Sequence, residues 1–228
     1  MNYKDIPIFI NSFNRPTFLM QQIYRLHMMG YDNIIIIDNN SSDPVTVAYL
    51  EKCPHTVHYV SENRGHTVLW DDNIVERYGY ENDYYVYTDC DIIPCDLCPE
   101  DFMEKMYSTL NEHKDVDKVG FSLINSNIPD RYKRKEDVQK WEAKFWEKPI
   151  EGTIPRIYRA DVDTTFALYR PGVKKYSHKA LRIGHPYVAI HLSWYENSSK
   201  PFFELEAYRS LTNKSSNSWD NGLNVKKD

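Results

Sequence analysis

Four short apolar segments in the first half of the chain each run straight into a polar cluster, and helix-like stretches separate them. Ile6–Ser12 closes on Asn11 and Ser12, and Ile34–Asp38 leads into Asn39 and Asn40. Thr56–Val60 precedes Glu62, Asn63 and Arg64, and Tyr84–Thr88 stops at Asp89-Cys90-Asp91. β-Branched and aromatic residues dominate these segments, as in buried strands. Between the first two, Pro16 sits in the opening turn of a helix to about Met29, with Gly30 as its stop. Asp43-Pro44 reads as an N-cap followed by proline at the first helical position, starting a helix to Lys52. Thr67–Tyr78 reads as one helix closed by Gly79, Pro99 opens another to about Glu112, and Lys118–Leu123 is a fifth strand. This alternation predicts an α/β fold, a mostly parallel sheet flanked by helices. Ligands of such sheets bind beyond the carboxyl ends of the strands, where the polar clusters lie.

A length of 228 residues suits one domain of this kind. The formal charge of −5 provides no basic footprint, which excludes nucleic acid as an expected partner. With only eight glycines, neither the P-loop pattern nor G-x-G-x-x-G occurs. An anionic diphosphate would therefore need a divalent cation between itself and the acidic protein. The longest apolar run, Ile34–Ile37, is too short for a transmembrane segment, and Met1–Asp5 lacks the apolar stretch of a signal peptide. The expected location is cytoplasmic, with Cys53, Cys90, Cys95 and Cys98 reduced.

The second half is patterned differently. Residues 126–155 are charged and carry Trp141 and Trp146, with Glu136–Glu147 as an amphipathic helix. Arg156–Arg170 is strand-like, Pro186–Leu192 is a strand and Pro201–Leu211 a helix. Residues 213–228 are polar and read as a flexible tail.

The chemistry concentrates at Tyr84-Tyr-Val-Tyr-Thr-Asp89-Cys-Asp91, where a tyrosine-rich strand delivers two carboxylates to a turn. Mg²⁺ and Mn²⁺ prefer oxygen ligands, and nucleotide-processing sites commonly combine one or two carboxylates with substrate phosphates. The plainer alternative is a turn with two solvated acids.

Taken together, Ile8-Phe-Ile-Asn-Ser-Phe-Asn-Arg15, Ile34-Ile-Ile-Ile-Asp38, Glu62-Asn63-Arg64-Gly65 and Asp89-Cys-Asp91 resemble the nucleotide-binding half of GT-A glycosyltransferases of the family-2 type. The resemblance implies a Rossmann-like domain over 1–212, with a nucleotide-sugar-binding half (1–125) and a smaller acceptor-side half (126–212). It implies donor contacts from Asn11, Ser12, Arg15, Asp38, Asn40, Asn63, Arg64 and Asp89. Asp91 and Asp89 would bind Mn²⁺ or Mg²⁺, with His191 as a third ligand; a hydrogen-bonded strand histidine is the competing reading of His191. Asp163, or alternatively Asp161, falls where inverting relatives place the general base, which must lie opposite the leaving diphosphate. Arg182, His185 and Trp194 are possible acceptor or diphosphate contacts. The implied donor is a nucleotide-diphosphate sugar, UDP-sugars first, and the acceptor a glycan, glycolipid or protein. Two departures stand out: Asn39 replaces a second acid after Asp38, and Q-x-x-R-W is missing, which favours transfer of one sugar at a time. The rival readings are a sugar nucleotidyltransferase, a non-catalytic carbohydrate-binding module and a zinc protein built on Cys90, Cys95 and Cys98.

Overall fold

In the computed structural model, which describes residues 2–200 and 202–211, β1 (Ile8–Ser12), β2 (Ile34–Asp38), β3 (Thr56–Tyr59) and β4 (Tyr85–Asp89) pair in parallel in the order β3-β2-β1-β4. The registers Ser12↔Asp38, Asn11↔Asp89 and Asp38↔Tyr59 bring the polar ends of these strands to one edge. Successive side chains alternate across the sheet. Ile8, Ile10, Ile34 and Ile36 join one core layer, while Phe9, Ile35 and Ile37 join the layer on the opposite face.

The connecting segments follow their punctuation. α1 (Pro16–Met28) starts on its proline, and Gly30 takes a left-handed φ of +77° after its end. Its apolar face of Leu19, Ile23 and Leu26 packs into the first layer. α2 (Pro44–Lys52) is capped by Asp43, which accepts from the Thr46 N–H at 2.8 Å. The expected helix Thr67–Tyr78 is instead broken into a 3-10 turn, α3 (Val68–Asp71) and α4 (Ile74–Arg77). Asn73 sits between them in the left-handed region at φ +51°, a conformation asparagine tolerates better than most residues.

A short strand that the sequence pattern does not announce, β5 (Ile92–Pro94), follows the Asp89–Asp91 turn. α5 (Phe102–Glu112) begins three residues beyond Pro99, and β6 (Lys118–Leu123) follows as expected. α6 (Lys135–Ala143) runs into a 3-10 turn over Lys144–Trp146. Of the strand-like stretch Arg156–Arg170, only β7 (Ile157–Tyr158) and β8 (Ala167–Tyr169) form, with the loop 159–166 between them. β9 (Ala180–His191) begins six residues before Pro186, and its pairing with β6 shifts register between Phe121 and Ser122. α7 (Phe203–Leu211) ends the described chain.

The described residues form a nine-stranded sheet in the order β3-β2-β1-β4-β8-β6-β9-β5, with β7 beside β9. β6 and β9 are parallel, whereas β8, β5 and β7 pair antiparallel with their neighbours. The α/β sheet flanked by helices is thus present, and antiparallel strands stitch its second half to β4. No helix among the described residues is long and apolar enough to cross a membrane. The segment 213–228 lies outside the described residues.

Candidate active site

α1 secures the turn that carries the two aspartates. Gln22 is fully buried, and its amide donates to Asp89 O (2.9 Å), Ile92 O (2.6 Å) and Thr88 Oγ1 (3.3 Å). One turn later the Arg25 guanidinium donates to the carbonyls of Pro94 and Cys95. These bonds satisfy backbone carbonyls that a non-strand turn would leave open, so the geometry of 89–95 is fixed from behind.

In front of that turn lies a cleft of about 860 Å³. Asn11, Asn39, Asn63, Gly65, His66 and Asp89–Asp91 line one wall, and Asp161, Asp163–Thr165, Tyr176, His178 and Arg182 line another. His191, Ser193 and Trp194 close the side above Asp91, and Trp141, Lys144 and Phe145 form the outer wall. Gly120 on β6 allows the 161–167 segment to approach. A Cβ at Gly120 would come within 2.7 Å of Phe166 O and of Val162 Cγ1.

The expected site residues separate into two groups. Asn11, Arg15, Asn63, Asp89, Asp91, Asp161, Asp163, Arg182, His191 and Trp194 all reach the cleft. Ser12, Asp38, Asn40, Arg64 and His185 do not line it. Asp38 is buried and turned back to accept from Ser41 N at 3.1 Å, and burial raises its carboxyl above the usual range. Asn39 takes the place in the wall, bonding to Asn11 Oδ1 (3.1 Å), Gly65 O (2.8 Å) and Arg64 N (2.9 Å). The Arg64 side chain pairs with Asp72 at 3.0 Å and Glu62 at 3.3 Å. His185 stacks on Trp146, at 5.8 Å between centroids.

Three cations in or just behind the cleft wall already face carboxylates. Arg15, 5% exposed, pairs with Glu196 at 2.8 Å and Glu204 at 3.5 Å. Arg182, buried in β9, pairs with Glu142 at 2.7 Å and donates to Asp161 O at 2.6 Å. Lys118, fully buried on β6 just behind the wall, lies 4.0 Å from Asp161 Oδ1 and donates to Asp163 O at 3.3 Å. Lys118, Tyr176, His178, Ser193 and the Trp141–Phe145 wall escape sequence reasoning. No motif contains them, and long-range pairing of β6, β8 and β9 brings them in.

The two motif aspartates differ. Asp89 accepts from Thr164 Oγ1 (2.5 Å) and Asn11 Nδ2 (3.2 Å), joining the two walls. Burial, with the charge of Asp91, raises its carboxyl to about 8 against those hydrogen bonds. Asp91 accepts from Ser193 Oγ, and its Oδ2 lies 3.5 Å from His191 Nδ1. That nitrogen is buried without a hydrogen-bond partner among the described residues, and the ring stacks on Trp194 at 4.6 Å. Among the described residues no three His, Cys, Asp or Glu side chains converge as a closed metal site. An orphaned imidazole nitrogen beside a carboxylate does fit an open cation site, completed by phosphate oxygens and water. The cysteines are all free. Cys90, Cys95 and Cys98 are buried in the core, and burial pushes the Cys98 thiol up to about 12.

No protein-family model matches the chain, and no curated protein matches it. Similar solved structures include glucosyl-3-phosphoglycerate synthase from Mycobacterium tuberculosis in complex with phosphoglyceric acid, at 15% identity and a TM-score of 0.39, over 54% of this chain and 45% of that one. The same enzyme in complex with Mn²⁺ and UDP-glucose matches at 14% identity and a TM-score of 0.39, over 89% and 74%. A further mycobacterial protein matches at 14% identity and a TM-score of 0.44, over 82% and 66%. The chain thus spans less than half of the first of these matched chains.

Proposed function

We propose that the cleft binds a nucleotide-diphosphate sugar with a divalent cation and transfers one sugar to an acceptor hydroxyl, with inversion. The observation that carries this reading is the convergence of four strand ends and the 161–165 segment on one cleft. Its volume suits a ligand of nucleotide-sugar size. Asn11 and Asn63 form the donor wall, and Asp89 fixes that wall against Thr164. Asp91 and His191 would hold Mn²⁺ or Mg²⁺, which when bound neutralises charge on the departing diphosphate. The acceptor proton leaves on the side of the acidic segment opposite, which carries the exposed Asp163 carboxylate and Asp161. UDP-sugars head the donor panel, and a glycan, glycolipid or protein supplies the hydroxyl.

Thermal unfolding with nucleoside diphosphates and their sugars, with and without Mn²⁺, tests this reading. A ligand at a hundred times its dissociation constant adds about 2.7 kcal/mol, raising the midpoint by roughly 5–10 °C in a domain of this size. A Mn²⁺-dependent shift for one nucleotide, lost in Asp91→Ala and reduced in His191→Ala, is the expected result. Folded protein that responds to no nucleotide would overturn it and leave the cleft as a carbohydrate-binding one.

A further inference from the structure

The Asp161 carboxylate is not free to act as a base by itself. Its Oδ2 lies 2.6 Å from His178 Nδ1, and its Oδ1 faces Lys118 Nζ at 4.0 Å. The imidazole is 77% exposed on its side-chain surface and stands on the rim where the cleft meets a second hollow of about 370 Å³. Tyr176 packs edge-on against it at 4.9 Å and donates to Asp163 Oδ1 at 3.3 Å. An ionised carboxylate only accepts hydrogen bonds, so the ring proton of a neutral His178 belongs on Nδ1. Nε2 then carries the lone pair, and it has no protein partner among the described residues. A carboxylate that fixes the tautomer and steadies the resulting imidazolium is the arrangement that makes histidine an effective general base.

We propose that His178 is the general base of the transfer, with Asp161 as its positioning residue; this rests on the transferase reading above. The acceptor O–H proton passes to His178 Nε2 as the acceptor oxygen bonds to the anomeric carbon. The bond from that carbon to the diphosphate oxygen breaks, and its electron pair leaves on the diphosphate. The imidazolium formed is paired with Asp161. Asp163, steadied by Tyr176, accepts a hydrogen bond from the acceptor and orients it.

Donor hydrolysis, in which water stands in for the acceptor, allows the test before an acceptor is known. The probe is UDP-glucose with Mn²⁺, turned over by the full chain. His178→Ala, a change at a largely exposed side chain, should lower kcat by about 10²–10³-fold and leave donor affinity within about twofold. Free imidazole should restore part of that loss. Asp161→Asn should lower kcat with KM unchanged, and Asp163→Ala should not respond to imidazole. The inference is overturned if His178→Ala keeps its kcat, if imidazole restores nothing while formate rescues Asp163→Ala, or if wild type binds the donor without turning it over. A wild type that binds no nucleotide sugar removes the transferase reading, and this inference with it.

Discussion

The two halves of the sheet bury different chemistry. In β1 and β2 the strand interiors are hydrocarbon on both faces, and Asp38 lies at a strand end. In the second half, Lys118 at the first residue of β6 and Arg182 at the third of β9 bury cationic side chains at 0% and 2% exposure. The first kind of strand is stabilised by transfer of apolar surface from water and needs no particular partner. The second kind is stable only while each buried charge keeps its counter-charge. One half is therefore a platform that tolerates local change. In the other, the residues that shape the cleft also hold the fold.

The largest effect should come from breaking a buried pair in the second half. Arg182→Met leaves Glu142 buried and unpaired, and should cost about 3–5 kcal/mol in urea unfolding. The cost should narrow at acid pH, where Glu142, already raised by burial, can take a proton. Adding Glu142→Leu should recover much of the loss. In the first half, Ile36→Ala should cost about 2–5 kcal/mol with no such dependence on pH or on a second change. Equal pH behaviour in the two variants would erase the contrast.

The same division decides what the sequence discloses. β1, β2, β4 and α2 follow from contiguous apolar runs and an Asp-Pro start, signals that are complete within a few residues. The helix read over Thr67–Tyr78 fails because Val68, Leu69, Ile74 and Val75 keep an apolar pattern across Asn73, whose left-handed turn carries no apolar signal. β5 is three residues long and exists through its pairing with β9. In the site, Asp89 and Asp91 are legible because a motif holds them. His178, Tyr176 and Lys118 are not, since 45 residues separate Lys118 from the Asp163 carbonyl it binds.

Lys118 gives the next effect. Burial pushes its ammonium from the ordinary 10.5 to about 8, with Asp161 and Asp163 pulling the other way. Between those values the unfolded chain binds more protons than the folded one, so stability rises with pH. The penalty is fully present below about pH 8 and is relieved toward pH 10.5, by about 3 kcal/mol if the whole shift is realised. Comparing denaturant midpoints at pH 7.5 and 9.5 should show this rise in wild type and lose it in Lys118→Met. Identical slopes would mean that Lys118 stays protonated in the fold across this range, as it does in the unfolded chain.

Gly120→Ala should come third, costing about 1–3 kcal/mol, because the new methyl meets a backbone carbonyl that cannot turn aside. It should also weaken nucleotide binding, by moving Thr164 off Asp89. A stability loss without a change in nucleotide affinity would show that the two walls are less tightly joined than the Thr164–Asp89 bond implies.

The smallest effect sharpens the comparison most directly, since it concerns helix starts alone. Asp43 has extended backbone, φ −67° and ψ 124°, and its carboxylate accepts from both Thr46 N and Thr46 Oγ1 at 2.8 Å. Asp43→Ala should cost about 1 kcal/mol. At the start of α6 in the second half, Arg134 has φ −101° and ψ 16° and makes no capping bond; it pairs with Asp137 at 2.9 Å instead. A good cap residue placed there should gain nothing, because its oxygen reaches the first-turn N–H groups only from extended backbone. Arg134→Ser should thus change the unfolding free energy by less than about 0.5 kcal/mol. A gain near 1 kcal/mol would mean that the second half can adopt a local, sequence-encoded start, and that tertiary pairing alone does not set where α6 begins.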